Sequence, residues 1–131
     1  MRLILAALAS LLLAAAASAQ QKVEFPSGDG TKLAALAFKP AGNGPFPAVV
    51  AMHGCSGMYR GGALSSNFVE WTKALTAAGF VTVAVDSLTP RQLKSVCSPK
   101  DGVLRGPVRA QDAFGAATWL ATQPYVAKSR I

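Results

Sequence analysis

The sequence predicts an α/β domain whose strands run parallel and alternate with helices, and three observations carry that prediction. Two apolar runs, Ala48 to Met52 and Phe80 to Val85, lack the polar alternation of a half-exposed strand, as strands buried on both faces do. Each is followed by a segment at helical spacing, through Phe68, Trp71, Leu75 and Ala78 after the first and through Ala113, Ala116, Trp119 and Leu120 after the second. Strand, helix, strand, helix is the order from which layered α/β sheets are built.

The elements follow in order. Met1-Arg2, the Ala/Leu run from Leu3 and the small residues Ala17-Ser18-Ala19 predict a secretory signal peptide over residues 1–19, cleaved after Ala19. The run is shorter than the ~20 apolar residues that a membrane span requires. The residues directly after the cleavage site, Gln20 to Glu24, are mostly polar and include no cysteine, so neither a stable membrane anchor nor a lipid anchor is expected. The remainder, residues 20–131, is enough for one small domain. Lys22 to Phe25 and Thr31 to Phe38, separated by Pro26-Ser27-Gly28-Asp29-Gly30, predict a β-hairpin. Pro40 to Pro47 is a loop. Asn67 is placed to cap the first helix and Gly79 to end it, and the second buried strand ends at Asp86. Gly102 to Pro107 reads as a break, Val108 to Thr122 as the second helix, and Gln123-Pro124 as its stop. Tyr125 to Ile131 looks like the approach to another strand.

Charge and cysteines narrow the function classes. The chain has 13 Lys+Arg against 6 Asp+Glu, a formal charge of +7. Nucleic acid is excluded as a partner, because the bases are scattered, aromatics are not interleaved with them, and the chain is expected to be exported. The local bias of Arg91, Lys94, Lys100, Arg105 and Arg109 against Asp101 fits a solvated loop or a rim that attracts an anionic substrate. Two cysteines and one histidine do not fill a four-ligand metal shell, so no metal is expected, and no cofactor. Cys55 and Cys97 are an even pair in an oxidising compartment; their spacing permits a bridge without fixing it.

The segment richest in chemistry is His53-Gly54-Cys55-Ser56-Gly57, arriving directly from the first buried strand. Acyl transfer needs a nucleophile, a histidine base and an orienting carboxylate. The chain contains no Gly-x-Ser-x-Gly or Gly-x-Cys-x-Gly elbow, and His53 is its only histidine. A Cys55–His53 dyad is disfavoured because their side chains would diverge from an extended backbone. A turn of this kind can instead present a backbone N–H to the oxyanion of a tetrahedral intermediate. Gly54 and Gly57 would allow the angles that aim the Cys55 N–H, leaving His53 to bond neighbouring loops. A tight turn without chemistry is the alternative.

Pro47 to Gly57, Ala78 to Asp86, Ser87-Leu88-Thr89-Pro90-Arg91 and the helix leading to Trp119-Leu120 and Pro124-Tyr125-Val126 resemble the dienelactone hydrolases of the α/β-hydrolase superfamily. The resemblance implies the amino-terminal part of that fold, a β-hairpin followed by parallel strand-helix-strand-helix, stopping before the nucleophile strand, the acid and the catalytic histidine. It implies that Cys55 donates the second oxyanion-hole N–H, and that Arg91, allowing a one-residue shift, matches an arginine that binds a substrate carboxylate. Gly54 stands where those enzymes carry a glutamate that contacts a nucleophilic cysteine, which favours a serine nucleophile here. The resemblance also places Cys55 and Cys97 on loops after adjacent strands, which implies a Cys55–Cys97 disulfide, and it implies a bare edge on the Ala48–Met52 strand.

These readings describe an exported hydrolase of the dienelactone type, acting on a small ester or lactone, with an anionic one favoured by Arg91, and inactive as this chain alone. A non-catalytic exported chain that binds a ligand or partner protein, and a small secreted structural domain, are the alternatives.

Overall fold

The hairpin forms at the expected place. The structure, a computed structural model, describes residues 19–98 and 106–131; the signal-peptide segment 1–18 and residues 99–105, with Lys100, Asp101 and Arg105, lie outside it. Strand β1 (Ala19–Pro26) pairs antiparallel with β2 (Lys32–Lys39), setting Val23 opposite Ala35 and Phe25 opposite Leu33. Period-two alternation buries all four, with Ala37, on one face of the hairpin. Gly30, at φ +83°, supplies the left-handed residue of the turn, and Asp29 Oδ1 accepts the Thr31 N–H at 2.9 Å.

The two apolar runs become β3 (Ala48–Met52) and β6 (Val81–Asp86), paired in parallel, while β6 also pairs antiparallel with β2. The sheet is therefore mixed, in the order β1-β2-β6-β3. All six residues of β6 are buried, whereas β3 is buried only at Ala48 and half-buried from Val49 to Met52. Burial on both faces thus describes β6 and only the start of β3. The reason is position: β3 is the sheet edge among the described residues.

Between β3 and β6 runs α1 (Ser66–Ala77), preceded by a small antiparallel ribbon of β4 (Tyr59–Arg60) and β5 (Ala63–Leu64). Ser65, not Asn67, occupies the cap position, and Asn67 falls in the first turn. The buried face of α1 centres on Thr72 and Thr76, whose hydroxyls donate to the Phe68 and Thr72 carbonyls at 2.7 and 2.6 Å. Threonine can lie against the sheet there because its polar atom is satisfied within the helix. That face leaves Trp71, one of the apolar residues at helical spacing, 61% exposed. Gly79, at φ +87°, ends the helix as expected.

On the opposite face α2 (Gly106–Thr122) packs Ala116 and Leu120 onto Val23, Phe25, Leu33 and the β6 valines. Gly106 and Pro107, read as part of a break, are its first residues; proline suits the first turn, where its missing N–H has no helical partner to lose. The helix comes very close to β1, since a Cβ on Gly115 would collide with the Pro26 carbonyl oxygen. After α2 the chain makes a single parallel bridge, Val126 to Phe46, with N–H···O bonds of 2.8 Å from Phe46 to Tyr125 and from Ala127 to Phe46, then a short 3-10 turn at Lys128–Arg130. Among the described residues no helix is long and apolar enough to cross a membrane.

Candidate functional site

Parallel pairing brings the chain out of β3 and β6 at the same end of the sheet, where ligands bind in open α/β folds. From β3 emerges the turn His53 to Gly57, and from β6 the segment Asp86 to Arg91. Asp86 shapes its own exit, since Oδ1 accepts the N–H groups of Leu88 and Thr89, both at 3.0 Å.

His53 ties the two exits together. It is 2% exposed; its Nδ1–H donates to the Gly54 carbonyl at 2.6 Å and its Nε2 accepts the Ser87 N–H at 3.1 Å. This pattern holds a neutral imidazole with the proton on Nδ1. Burial pushes its pKa down; the Gly54 bond opposes this, the Arg109 charge adds to it, and Asp86 and Asp112 oppose it more weakly. Because the folded pKa lies below the unfolded value of about 6.5, the folded protein binds fewer protons, so stability is full above that value and declines as pH falls through it. Asp29 and Asp112, both shifted below the ordinary carboxylate range, act only at lower pH. The unfolding free energy from urea titrations should therefore fall between pH 7 and 5, by at most ~1.4 kcal/mol per pH unit, and His53→Gln should flatten the dependence.

The turn itself is held from several directions. Arg109 donates to the His53 carbonyl, Val96 N–H donates to the Cys55 carbonyl at 2.8 Å, and Cys55 Sγ is bonded to Cys97 Sγ across 42 residues. With its sulfur in that bridge and the imidazole engaged on both nitrogens, Cys55 and His53 form no nucleophile-base dyad. Of the two glycines expected to bend the turn only Gly57 has a left-handed φ, +80°. Gly54 needs no such freedom, and a Cβ there would meet nothing within 4 Å. The Cys55 N–H donates to no acceptor among the described residues. Beside it a groove of about 640 Å³ runs past Ser56, Tyr59, Leu88, Thr89 and Lys94.

Arg91, expected to meet a substrate carboxylate, bonds two carboxylates of the chain itself. Nη1 donates to Asp112 Oδ2 at 3.0 Å and Ser87 O at 2.9 Å, and Nη2 to Asp112 Oδ1 at 2.8 Å and Asp29 Oδ2 at 2.9 Å. All four terminal N–H groups are committed, and the side chain is only 11% exposed. A guanidinium neutralised by two carboxylates has no terminal N–H left for a substrate. Its partner Asp112 is fully buried; burial pushes the carboxyl pKa up, but the bonds from Arg91 outweigh that and hold it below the usual range. Asp29 is likewise held low, chiefly by Arg91.

No family model matches the chain, and no curated protein does. Solved structures do. The hypothetical protein PA2218 from Pseudomonas aeruginosa matches with a TM-score of 0.66 and 25% identity over 88% of this chain and 34% of its own. Esterase Est22 matches at 0.62 and 23% over 88% and 34%, and dienelactone hydrolase from Anabaena variabilis at 0.62 and 20% over 87% and 49%. The fold is that of the α/β-hydrolases. The chain spans 34% to 49% of the length of these structures.

Within this α/β-hydrolase fold the expected site residues separate. Cys55 and Cys97 meet in the disulfide at one strand end, while Arg91 turns away toward α2 and the hairpin turn. Sequence reading missed Asp29, Asp112 and the bond from Arg109. Asp112 carries a recognisable signal, because it shares a helical phase with Ala116 and Leu120 and is the one acid on that buried line. The ribbon β4–β5 was also legible, since Gly61-Gly62 at φ +56° and +83° is the glycine pair that a two-residue hairpin demands. Among the described residues no cluster of His, Cys, Asp and Glu could hold a metal ion.

Proposed function

We propose that this chain is the amino-terminal part of an exported hydrolase of the dienelactone type, cleaving a small ester or lactone with a nucleophile, acid and histidine located beyond Ile131. The observation that carries this reading is the Cys55 N–H at the end of β3, which donates to no acceptor among the described residues, on a turn fixed by the His53–Ser87 bond, the Val96–Cys55 bond and the disulfide. When a hydroxyl nucleophile adds to the substrate carbonyl, the π pair moves onto oxygen. That oxyanion is met by the Cys55 N–H and by the N–H of the residue after the nucleophile. A donor aimed in this way is typically worth about 3 kcal/mol of barrier. Collapse expels the alcohol, which takes the proton held by the histidine, and water repeats the sequence to free the acid. The groove beside the turn receives the substrate. An anionic group on it would meet Lys94, because Arg91 serves to fix the β6 exit. The leader that the sequence predicts over residues 1–19 and the disulfide, a bond kept in oxidising compartments, support export.

A fluorophosphonate ester probe tests this reading. The chain of 131 residues should remain unlabelled, while the polypeptide read on past Ile131 should be labelled at the serine of a Gly-x-Ser-x-Gly elbow. Labelling of this chain, or a continuation without elbow, acid and histidine, overturns it.

A further inference from the structure

We propose that two copies of this chain pair through the outer edge of β1, about a two-fold axis at Val23. Strand β1 lies at the end of the sheet order and, among the described residues, is bonded only to β2, so its other edge offers unpaired backbone groups to a neighbour. Its exposed side chains are charged in a self-complementary way. With Val23 opposite Val23 of an antiparallel second copy, Lys22 of each chain stands directly opposite Glu24 of the other, giving two cross-strand ion pairs on one face. Moving the axis to Lys22 sets lysine against lysine, and moving it to Glu24 sets glutamate against glutamate. A one-residue slip between these registers would turn the apolar face of one copy against the polar face of the other. Only the Val23 register satisfies both charge and pleat.

The other face of the same edge supplies the apolar contact. Phe114 on α2 is 72% exposed, the most exposed of the large hydrophobic side chains among the described residues. It stands over a groove of about 460 Å³ beside β1, lined with Phe25, Pro26, Thr118 and Trp119. A second β1 continuing the sheet would pass beneath this shelf and bring the two α2 helices to one side of a joined sheet. Glu24, which now bonds Lys32 at 2.5 Å, is exposed and has a second carboxylate oxygen for Lys22 of the second copy.

Sedimentation of the purified chain decides the matter. The wild type should show a monomer-dimer equilibrium. Lys22→Glu and Glu24→Lys should each raise the dimer Kd about 10-fold or more, because each replaces two attractive pairs with two repulsive ones. An equimolar mixture of the two variants should recover wild-type association, since position 22 of each chain then faces a position 24 of opposite charge; that recovery also shows both variants to be folded. A wild type that stays monomeric, an oligomer whose Kd neither variant changes, such as one built on β3, or a mixture that fails to recover would each overturn the proposal.

Discussion

Replacing Asp112 with alanine should cost about 3 kcal/mol of folding stability, the lower end of what breaking a buried ion pair costs. The carboxylate is fully buried and takes two of the four bonds made by the Arg91 terminal nitrogens. Its loss leaves a guanidinium that is 11% exposed with only Asp29 and the Ser87 carbonyl. The effect belongs at the lower end because Asp29 retains part of the compensation. A urea midpoint that falls at unchanged m-value would report it. The double replacement Arg91→Met with Asp112→Leu should be milder than either single change, since no charge is then left buried. A double variant as unstable as Asp112→Ala would show that shape, not charge, is what the site requires.

Removing the disulfide is the second large effect. Cys97→Ser should lower stability by about 4 kcal/mol on the chain-entropy estimate for a loop of this length, the two cysteines lying 42 residues apart. Dithiothreitol should produce the same drop in the wild type and none in the variant. Guanidinium denaturation with and without reductant checks both arms, and a wild type indifferent to reductant would refute the estimate. The segment Leu93 to Ser98 would still touch the turn after reduction, through the Val96 N–H on the Cys55 carbonyl, so the loss falls on the unfolded chain's freedom more than on native contacts.

What the sequence disclosed follows from how local each signal is. The hairpin, β3, β6 and both helices are written in periodicity and in turn residues such as Gly30 and Gly79, which act over a few positions. The His53 turn was legible for the same reason, as an apolar run ending in His-Gly-Cys-Ser-Gly. Trp71 lies exposed because helical spacing defines a stripe without saying which side of it meets the sheet, and Thr72 and Thr76 take that side by satisfying their hydroxyls within α1. Arg91 was given to a substrate because its acceptors are remote: Asp29 lies in the hairpin turn and Asp112 on α2, and only the assembled fold brings both within 3.0 Å of it. The Gly54 and Gly57 pair looked equivalent in composition, yet only Gly57 adopts a left-handed backbone.

Arg91 joins a residue 62 positions before it to one 21 positions after it. Such a clasp cannot close until the hairpin, the β6 exit and α2 are all in place, so we expect it to form after the folding transition state, with Arg91→Met speeding unfolding and leaving the folding rate unchanged. Contacts absent from the transition state leave the folding rate alone and act as a brake on unfolding. In the exported setting proposed above, where proteases are met, that brake sets how often the chain opens long enough to be cut whenever cleavage outpaces reclosing. On that expectation Arg91 acts on how long the folded chain lasts.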